Sequence, residues 1–200
     1  MDSDVPLLGR PYGGCCILWH KHLAGTVTPI DTNSKRFSCV LYDTGTVKIL
    51  MFCVYMPSDK MKCAEYDEVL ENISQICNSH ENTMIVIGGD FNTSFSRTKE
   101  PRTRKLVNYI RDENFKCCLE SILSDIDYTY ESKINGDRSL IDHICISDNI
   151  FHAINEYKVL HHSNNLSDHS AVILSLDIDD DYVCIQSGNA NSDVINAVDA

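Results

Sequence analysis

The chain has 200 residues, of which 43% are hydrophobic and 23% are charged, and its formal net charge is −12. These fractions are ordinary for a globular protein, and the length suits one domain with a sizeable core. The negative charge disfavours a general nucleic-acid-binding protein, and the ten cysteines include no Cys-x-x-Cys pair of the kind that binds zinc.

Residues 1–12 are predicted to form a loop. The first four residues, Met-Asp-Ser-Asp, lack the basic and apolar segments of a secretory signal. No apolar run of the sequence is long enough to span a bilayer. We therefore expect an intracellular protein, nuclear or cytoplasmic, that is not secreted and does not act at a membrane.

The first regular elements are predicted to be strands. One is expected at 14–19, entered through a pair of glycines. Residues 37–42 and 47–55 are rich in β-branched and aromatic side chains, and Asp-Thr-Gly-Thr at 43–46 is typical of a hairpin turn. The sequence therefore predicts a β-hairpin after the first strand.

Two helices are predicted in the middle of the chain. Apolar residues recur at helical spacing over 63–80, which indicates a helix with one buried face. A short, continuously apolar strand follows at 84–89. Pro101 suits the first turn of a second helix, whose inward residues are predicted to be Leu106, Val107 and Ile110.

The last third of the chain is predicted to be mainly strands, at 128–130, 140–147, 157–160 and 171–178. The chain then becomes acidic and polar, so we interpret 13–178 as the folded domain and 179–200 as a tail. Strands outnumber helices, and helices separate pairs of strands. This order predicts an α/β (α+β) fold with two packed β-sheets flanked by helices.

Three of the apolar runs end in an aspartate that has an Asn or His close by. Gly-Gly-Asp-Phe-Asn contains Asp90 and Asn92, Leu-Ile-Asp-His contains Asp142, and Ser-Asp-His contains Asp168 and His169. A carboxylate at the end of a buried strand needs partners, because its desolvation costs several kcal/mol. The three motifs therefore indicate one shared polar site at the edge of a sheet.

The residue types in these motifs suit metal-assisted cleavage of a phosphate ester. Such cleavage needs a cation to offset developing charge, a base to activate water, and donors that hold the phosphate. Mg²⁺ (or Mn²⁺) selects the hard oxygen ligands that these side chains offer. His169 needs a partner that fixes its tautomer, and we predict that Asp142 is this partner.

A group of basic residues follows the first motif, at Arg97, Arg102, Arg104 and Lys105. A charged helix start is ordinarily only a solvated face. Because this group lies directly after the predicted site, a second interpretation stays open, in which the four side chains contact nucleic-acid phosphates.

The three motifs together resemble those of the endonuclease/exonuclease/phosphatase superfamily, whose fold is the DNase-I-like four-layer sandwich. Gly-Arg-Pro-Tyr-Gly-Gly at 9–14, followed by Ile-Leu-Trp at 17–19, is more particular. It resembles the endonuclease domain of non-LTR (LINE-type) retrotransposon proteins. The resemblance runs over residues 9–178 and implies a metal-dependent endonuclease that acts on DNA.

The resemblance also implies a role for each matching residue. Asp90 would position or activate the attacking water and help to bind the metal, and Asn92 would hold a phosphate oxygen. Tyr55 would contact the scissile phosphate, and Asp168 would help to bind the metal. His169, oriented by its aspartate partner, would hydrogen-bond the phosphate or transfer a proton.

The sequence departs from the superfamily near its beginning. The family fold starts with two strands that carry an Asn and a metal-binding Glu, whereas no glutamate precedes Glu65 here. We therefore expect a domain that lacks its first strands, binds its metal weakly and has little or no nuclease activity. Two alternatives stay open: a catalytically inactive remnant or interaction module of the same fold, and a phosphomonoesterase of the same superfamily.

Overall fold

The computed structural model of the chain describes residues 14–59, 63–121, 124–162 and 164–178. Its α-helices are α1 (Cys63–Asn78) and α2 (Pro101–Asp112). Its strands are β1 (Thr26–Ile30), β2 (Phe37–Asp43), β3 (Lys48–Tyr55), β4 (Met84–Asp90), β5 (Phe115–Cys117), β6 (Ser124–Asp125), β7 (Tyr130–Glu131), β8 (Arg138–Ser139), β9 (Asp142–Ser147), β10 (Ile154–Leu160) and β11 (Ala171–Leu176).

The strands form two sheets and a separate two-stranded ribbon. The larger sheet has six strands in the order β1-β2-β3-β4-β9-β5, the smaller has three in the order β11-β10-β6, and β7 pairs with β8. Strands β3 and β4 are parallel, as the intervening helix α1 allows, whereas β9 runs antiparallel to β4. The prediction of two sheets with flanking helices is confirmed.

The predicted hairpin is present as β2 and β3. Their register runs from Phe37 opposite Val54 to Asp43 opposite Lys48. Gly45 has a φ of 92°, which is unfavourable for other residues, and its backbone N–H donates to Oδ1 of Asp43 at 2.7 Å. The glycine and the aspartate of the turn therefore close this hairpin together.

The six-stranded sheet has an apolar cluster on each face. Successive residues of β3 alternate between the faces, so Leu50 joins the cluster that contains α1 and α2, and Ile49 joins the cluster against the smaller sheet. Ile73 and Leu106, from the two helices, are almost fully buried in the first cluster, and Tyr157 of β10 in the second. The larger sheet is therefore the layer between the helices and the smaller sheet.

The predicted strand at 14–19 is wrong. Residues 14–20 are irregular, and Leu18 and Trp19 are 90% and 48% exposed. An apolar run becomes a strand only where it finds a partner to pack and pair with. Strand β1 is absent from the prediction because Pro29 weakens the pattern, but β1 is the edge of the larger sheet, where proline is tolerated.

Both helices occur where they are predicted, but one inward residue of α2 is wrong. Thr103, Leu106 and Ile110 lie on its buried face, whereas Val107 is 41% exposed. The three buried residues follow the i, i+3, i+7 spacing of one helix face. Val107 is one residue further along and therefore points about 100° away from Leu106.

The remaining predicted strands occur as β7, β9, β10 and β11, with shifted ends. The predicted loop at 1–12 and the predicted tail at 179–200 lie outside the described residues. Within the described ranges, no helix is both long and apolar enough to cross a membrane.

Candidate active site

The site is built at the end of β4, between β3 and β9. Asp90, the last residue of β4, lies opposite Tyr55 of β3 on one side and Asp142 of β9 on the other. Gly89 precedes it with a φ of 145°, and a Cβ there would lie 2.1 Å from the carbonyl oxygen of Val54. Only glycine therefore lets β4 approach β3 closely enough to place Asp90 between these neighbours.

Asn92 holds the Asp90 carboxylate through local hydrogen bonds. Its backbone has a φ of 50°, and its N–H donates to Oδ1 of Asp90 at 2.8 Å. Its side-chain Nδ2 donates to Oδ2 of Asp90 at 3.1 Å and to the carbonyl oxygen of Met56 at 2.8 Å. Because both hydrogens of Nδ2 are used, the predicted bond from Asn92 to a phosphate oxygen would have to replace one of these contacts.

Asp142 and His169 form the second half of the site. Nδ1 of His169 lies 2.9 Å from Oδ2 and 3.2 Å from Oδ1 of Asp142. Asp142 is the first residue of β9, and His169 lies in the segment that leads into β11. The structure thus brings together the imidazole and the carboxylate that the sequence predicted to pair.

Asp90, Asp142 and His169 gather in one small cluster. One ligand atom from each lies within 4.8 Å of the other two. Burial and the nearby Asp142 carboxylate raise the pKa of Asp90 to about 6, and the hydrogen bond to Asp142 raises the pKa of His169. Burial and the neighbouring carboxylate both disfavour the ionised form of Asp90, and a bound cation would favour it.

The donors of this cluster fit a hard divalent cation. Mg²⁺ and Mn²⁺ bind carboxylate oxygens and retain several waters, so two carboxylates can hold such an ion. Asp168 is not a member of the three-residue cluster. It is half-buried, and its backbone carbonyl accepts a hydrogen bond from the N–H of Glu131 at 2.9 Å. Its assignment as a metal ligand therefore stays a prediction.

Tyr55 lies beside Asp90 at the end of β3 and is half-buried. The guanidinium carbon of Arg36 lies 5.7 Å from the centre of its ring. The same guanidinium is bound to Glu65 of α1, with Nη2 of Arg36 2.7 Å from Oε1. Glu65 is thus engaged with Arg36, and the contact of Tyr55 with a phosphate stays a prediction.

A polar cleft of about 420 Å³ is formed partly by the segment that follows Asn92. Arg97 lines it, and its Nη2 donates to Oγ of Ser139 at 2.8 Å. Arg138 also lines it, with its guanidinium carbon 4.2 Å from the centre of the Tyr128 ring. The cleft therefore combines two cations and an aromatic face with the carboxylate of Asp127, and Nη2 of Arg138 also lies 3.4 Å from Oε2 of Glu131.

The four predicted phosphate contacts differ in their surroundings. Arg102 is 3% exposed, and its Nη1 donates to the carbonyl oxygens of Pro57 and Ser58 at 2.9 and 2.8 Å. These bonds hold the segment after β3. Because the guanidinium of Arg102 is buried and already bound, a phosphate does not have access to it, and the geometry argues against the predicted phosphate contact of Arg102. Arg97 lines the cleft, Arg104 is exposed on α2, and Lys105 is paired with Asp67.

Two buried residues near the site are absent from the sequence prediction. His143 is 1% exposed, and its Nε2 donates to the carbonyl oxygen of Thr93 at 2.9 Å, which supports the segment after Asn92. Thr129 is fully buried next to β9. The alternation along β9 places His143 on the opposite face from Asp142. Thr129 lies in the strand predicted at 128–130, but that pattern assigns it no role in the site.

The profile of a family described as endonuclease-reverse transcriptase matches residues 49–173, a range that includes all three motifs. Among curated proteins, none matches this chain.

Several solved structures share the fold. The endonuclease domain of TRAS1, a telomere-specific non-LTR retrotransposon, is 16% identical with a TM-score of 0.62, covering 76% of this chain and 69% of that one. The 3′ phosphatase NExo from Neisseria, bound to a product DNA hairpin, is 16% identical with a TM-score of 0.55, covering 72% and 66%.

The AP endonuclease LMAP from Leishmania major is 14% identical with a TM-score of 0.59, covering 70% of this chain and 54% of that one. The present chain thus spans only about half the length of LMAP. At such identities the likeness concerns the fold, and it confirms the predicted DNase-I-like class of packed sheets with helices.

Proposed function

Because this chain belongs to the endonuclease-reverse transcriptase family, within the endonuclease/exonuclease/phosphatase superfamily, we propose that it is a metal-dependent hydrolase that cleaves DNA phosphodiesters. The observation that carries the proposal is the cluster of Asp90, Asp142 and His169, whose ligand atoms lie within 4.8 Å of one another. Two carboxylates at the ends of the neighbouring strands β4 and β9, with an imidazole beside them, suit the hydrolysis of a phosphate ester.

The cation would be Mg²⁺ or Mn²⁺, held by Asp90, with Asp168 as a further candidate ligand. When bound, such an ion offsets the negative charge that develops on the phosphate. The remaining chemistry belongs to side chains of this chain.

Asp90 is the proposed base for the attacking water. Its pKa of about 6 leaves it largely ionised near neutral pH but still able to take up a proton, as a general base requires. The two bonds from Asn92, at 2.8 and 3.1 Å, hold both carboxylate oxygens in place. Asn92 therefore orients the base in addition to its predicted contact with the phosphate.

His169 is the proposed donor to the phosphate. Its Nδ1 faces Asp142 at 2.9 Å, so Nε2 is on the opposite edge of the ring. The Asp142 carboxylate raises the pKa of His169 and so favours a ring that carries two protons. A proton on Nε2 would then hydrogen-bond a phosphate oxygen or move to the leaving group.

DNA is the proposed substrate for two reasons. The TRAS1 domain is described as an endonuclease of a retrotransposon, and NExo is described with a DNA hairpin. In addition, Arg97 and Arg138 line the cleft that begins just after Asn92, where they would neutralise phosphates locally although the whole chain is acidic.

A nicking assay tests the proposal. Supercoiled plasmid is incubated with Mg²⁺ and excess protein, because the sequence analysis expects weak activity. We expect conversion to nicked circles that chelation of the metal stops and that Asp90→Asn abolishes. Asp112→Asn is the matched control, since it removes an equivalent charge from an α2 residue whose side chain is 65% exposed.

Absence of nicking by the wild-type chain at every Mg²⁺ and Mn²⁺ concentration would contradict the proposal and support the inactive-module alternative. Release of phosphate from small phosphomonoesters, lost in Asp90→Asn but with no nicking, would support the phosphatase alternative. NExo is itself described as a 3′ phosphatase, so both substrates are assayed with the same preparations.

A further inference from the structure

We propose that Thr129 is a positioning residue for the Asp142–His169 pair. Its hydroxyl fixes the start of the strand that carries Asp142, and its carbonyl fixes the segment that carries His169. The role of this pair in catalysis rests on the proposed function, whereas the positions of the two side chains can be measured even if the protein does not cleave DNA.

The side chain of Thr129 binds the start of β9. Oγ1 accepts hydrogen bonds from the backbone N–H of Ile141 at 3.1 Å and of Asp142 at 3.0 Å. Thr129 is 0% exposed and Ile141 is 9% exposed, so water does not readily replace the hydroxyl. Two consecutive peptide groups are thus held by one oxygen, directly at the residue that faces the imidazole.

The backbone of Thr129 binds the segment around His169. Its carbonyl oxygen accepts a hydrogen bond from the N–H of Ser170 at 2.7 Å. Two residues later, the N–H of Glu131 donates to the carbonyl oxygen of Asp168 at 2.9 Å. Both neighbours of His169 are therefore bound to this short segment, and Tyr130 between them forms an isolated β-bridge with His169 itself.

Thr129 is accordingly the residue that contacts both sides of the pair. Asp142 and His169 are separated by 27 positions in the sequence, so no local turn can set the distance between them. Strand pairing with β4 holds Asp142 only on the side where Asp142 lies opposite Asp90. The hydroxyl and the carbonyl of Thr129 supply the connection that brings the carboxylate and the imidazole to 2.9 Å.

The alternative is that Thr129 is an ordinary buried threonine that contributes stability alone. Thr129→Val keeps the shape of the side chain and removes the acceptor, while Thr129→Ser keeps the acceptor and removes a methyl group. Tyr157→Phe is the matched control. Its hydroxyl is also fully buried and accepts an N–H of β9, that of Ile144 at 3.3 Å, but it belongs to β10, away from the segment that carries His169.

The first measurement is spectroscopic. Two-bond ¹H–¹⁵N correlation spectra, recorded at a pH where the ring is neutral, report which ring nitrogen of His169 carries the proton, and His169→Gln assigns the signals. We expect the Nδ1-protonated form in the wild-type chain, in Thr129→Ser and in Tyr157→Phe. In Thr129→Val we expect a mixture of the two tautomers, because Asp142 no longer faces Nδ1 correctly.

The second measurement is the nicking rate. We expect Thr129→Val to lower kcat by about 10- to 100-fold, as a misplacement of roughly 1 Å would, with KM within about twofold because the DNA contacts are unchanged. Thr129→Ser should restore kcat to within about twofold of wild type, and Tyr157→Phe should leave it unchanged even though it lowers the melting temperature.

A wild-type His169 tautomer and kcat in Thr129→Val, together with a lowered melting temperature, would overturn the proposal and leave Thr129 a stabilising residue only. If the wild-type chain does not nick DNA, the proposed function fails, but the tautomer spectra still decide the positioning. If Thr129→Val does not fold, Thr129→Ala is compared with Thr129→Ser at low temperature. If the His169 tautomer spectra of these two variants are the same, the inference is also overturned.

Discussion

The two halves of the site are built in different ways. Asp90 and Asn92 are two residues apart and are joined by hydrogen bonds of 2.8 and 3.1 Å within one turn of chain. Asp142 and His169 come from different elements and meet across 27 positions of sequence. The first half is thus a local structure, and the second is a product of the tertiary fold.

This difference decides how each half responds to change. The geometry of the local half follows from backbone conformation, since Gly89 and Asn92 have φ values of 145° and 50°. The geometry of the distant half depends on the packing of several segments around Thr129. We therefore expect the local half to survive partial loosening of the domain and the distant half to be lost first.

The largest expected effect tests whether the distant half acts as one unit. His169→Gln should lower the nicking rate by about 10²- to 10⁴-fold, because it removes the proton donor. Asp142→Asn should lower the rate by less, since it leaves the ring present but poorly oriented. The double variant should be no slower than His169→Gln alone, which single-turnover kinetics with a double-mutant cycle would measure.

Additive losses in that cycle would contradict the pairing. They would mean that Asp142 contributes to the reaction separately from His169, for example as a metal ligand alone. A shift of the Mg²⁺ concentration needed for half-maximal rate in Asp142→Asn, but not in His169→Gln, would identify this outcome.

The next effect tests the local half. Asn92→Gly keeps a backbone that readily adopts a φ of 50° but removes both side-chain bonds, so nicking should fall by about 100-fold. Asn92→Ala removes the same bonds and also strains the backbone, so its free energy of unfolding should be about 1 kcal/mol lower than that of Asn92→Gly. Chemical denaturation and nicking of the two variants would separate these contributions.

Similar stability of the two variants would show that the positive φ of Asn92 costs nothing in this chain. Similar nicking by Asn92→Gly and the wild-type chain would show that the orientation of Asp90 does not depend on the amide.

The local half, the two helices and the β2–β3 hairpin were accessible from sequence, because each depends on neighbouring residues. Gly-Gly-Asp-Phe-Asn placed Asp90 and Asn92 at a strand end, and a turn around Gly45 with flanking β-rich runs marked the hairpin. The pairing of His169 with Asp142 was accessible from chemistry, since an imidazole at a polar site needs a carboxylate.

The remaining features depend on contacts between segments that are far apart in sequence. The sequence around Arg102 does not distinguish it from a cation on the exposed face of a helix. Only the fold shows that its guanidinium binds the Pro57 and Ser58 carbonyls. Thr129 lies in a predicted strand, but its hydrogen bonds could not be predicted, because they come from three amides of two other segments.

The smallest expected effect concerns the ionisation of Asp90, which belongs to the local half of the site. Burial and Asp142 raise the pKa of Asp90 from 3.8 to about 6. The folded chain therefore holds a proton more tightly than the unfolded chain, so the stability that this proton contributes is present at low pH and is lost as the pH rises through about 6. We expect the total loss to reach about 3 kcal/mol.

The measurement is the difference in free energy of unfolding between Asp90→Asn and the wild-type chain as a function of pH. The variant cannot ionise, so its relative stability should increase between pH 4 and 6 by about 2 kcal/mol. Added Mg²⁺ should reduce the Asp90→Asn difference, because a bound cation stabilises the ionised carboxylates of the wild-type chain. A flat Asp90→Asn difference in the absence of Mg²⁺ would show that neither burial nor the Asp142 carboxylate raises the pKa of Asp90.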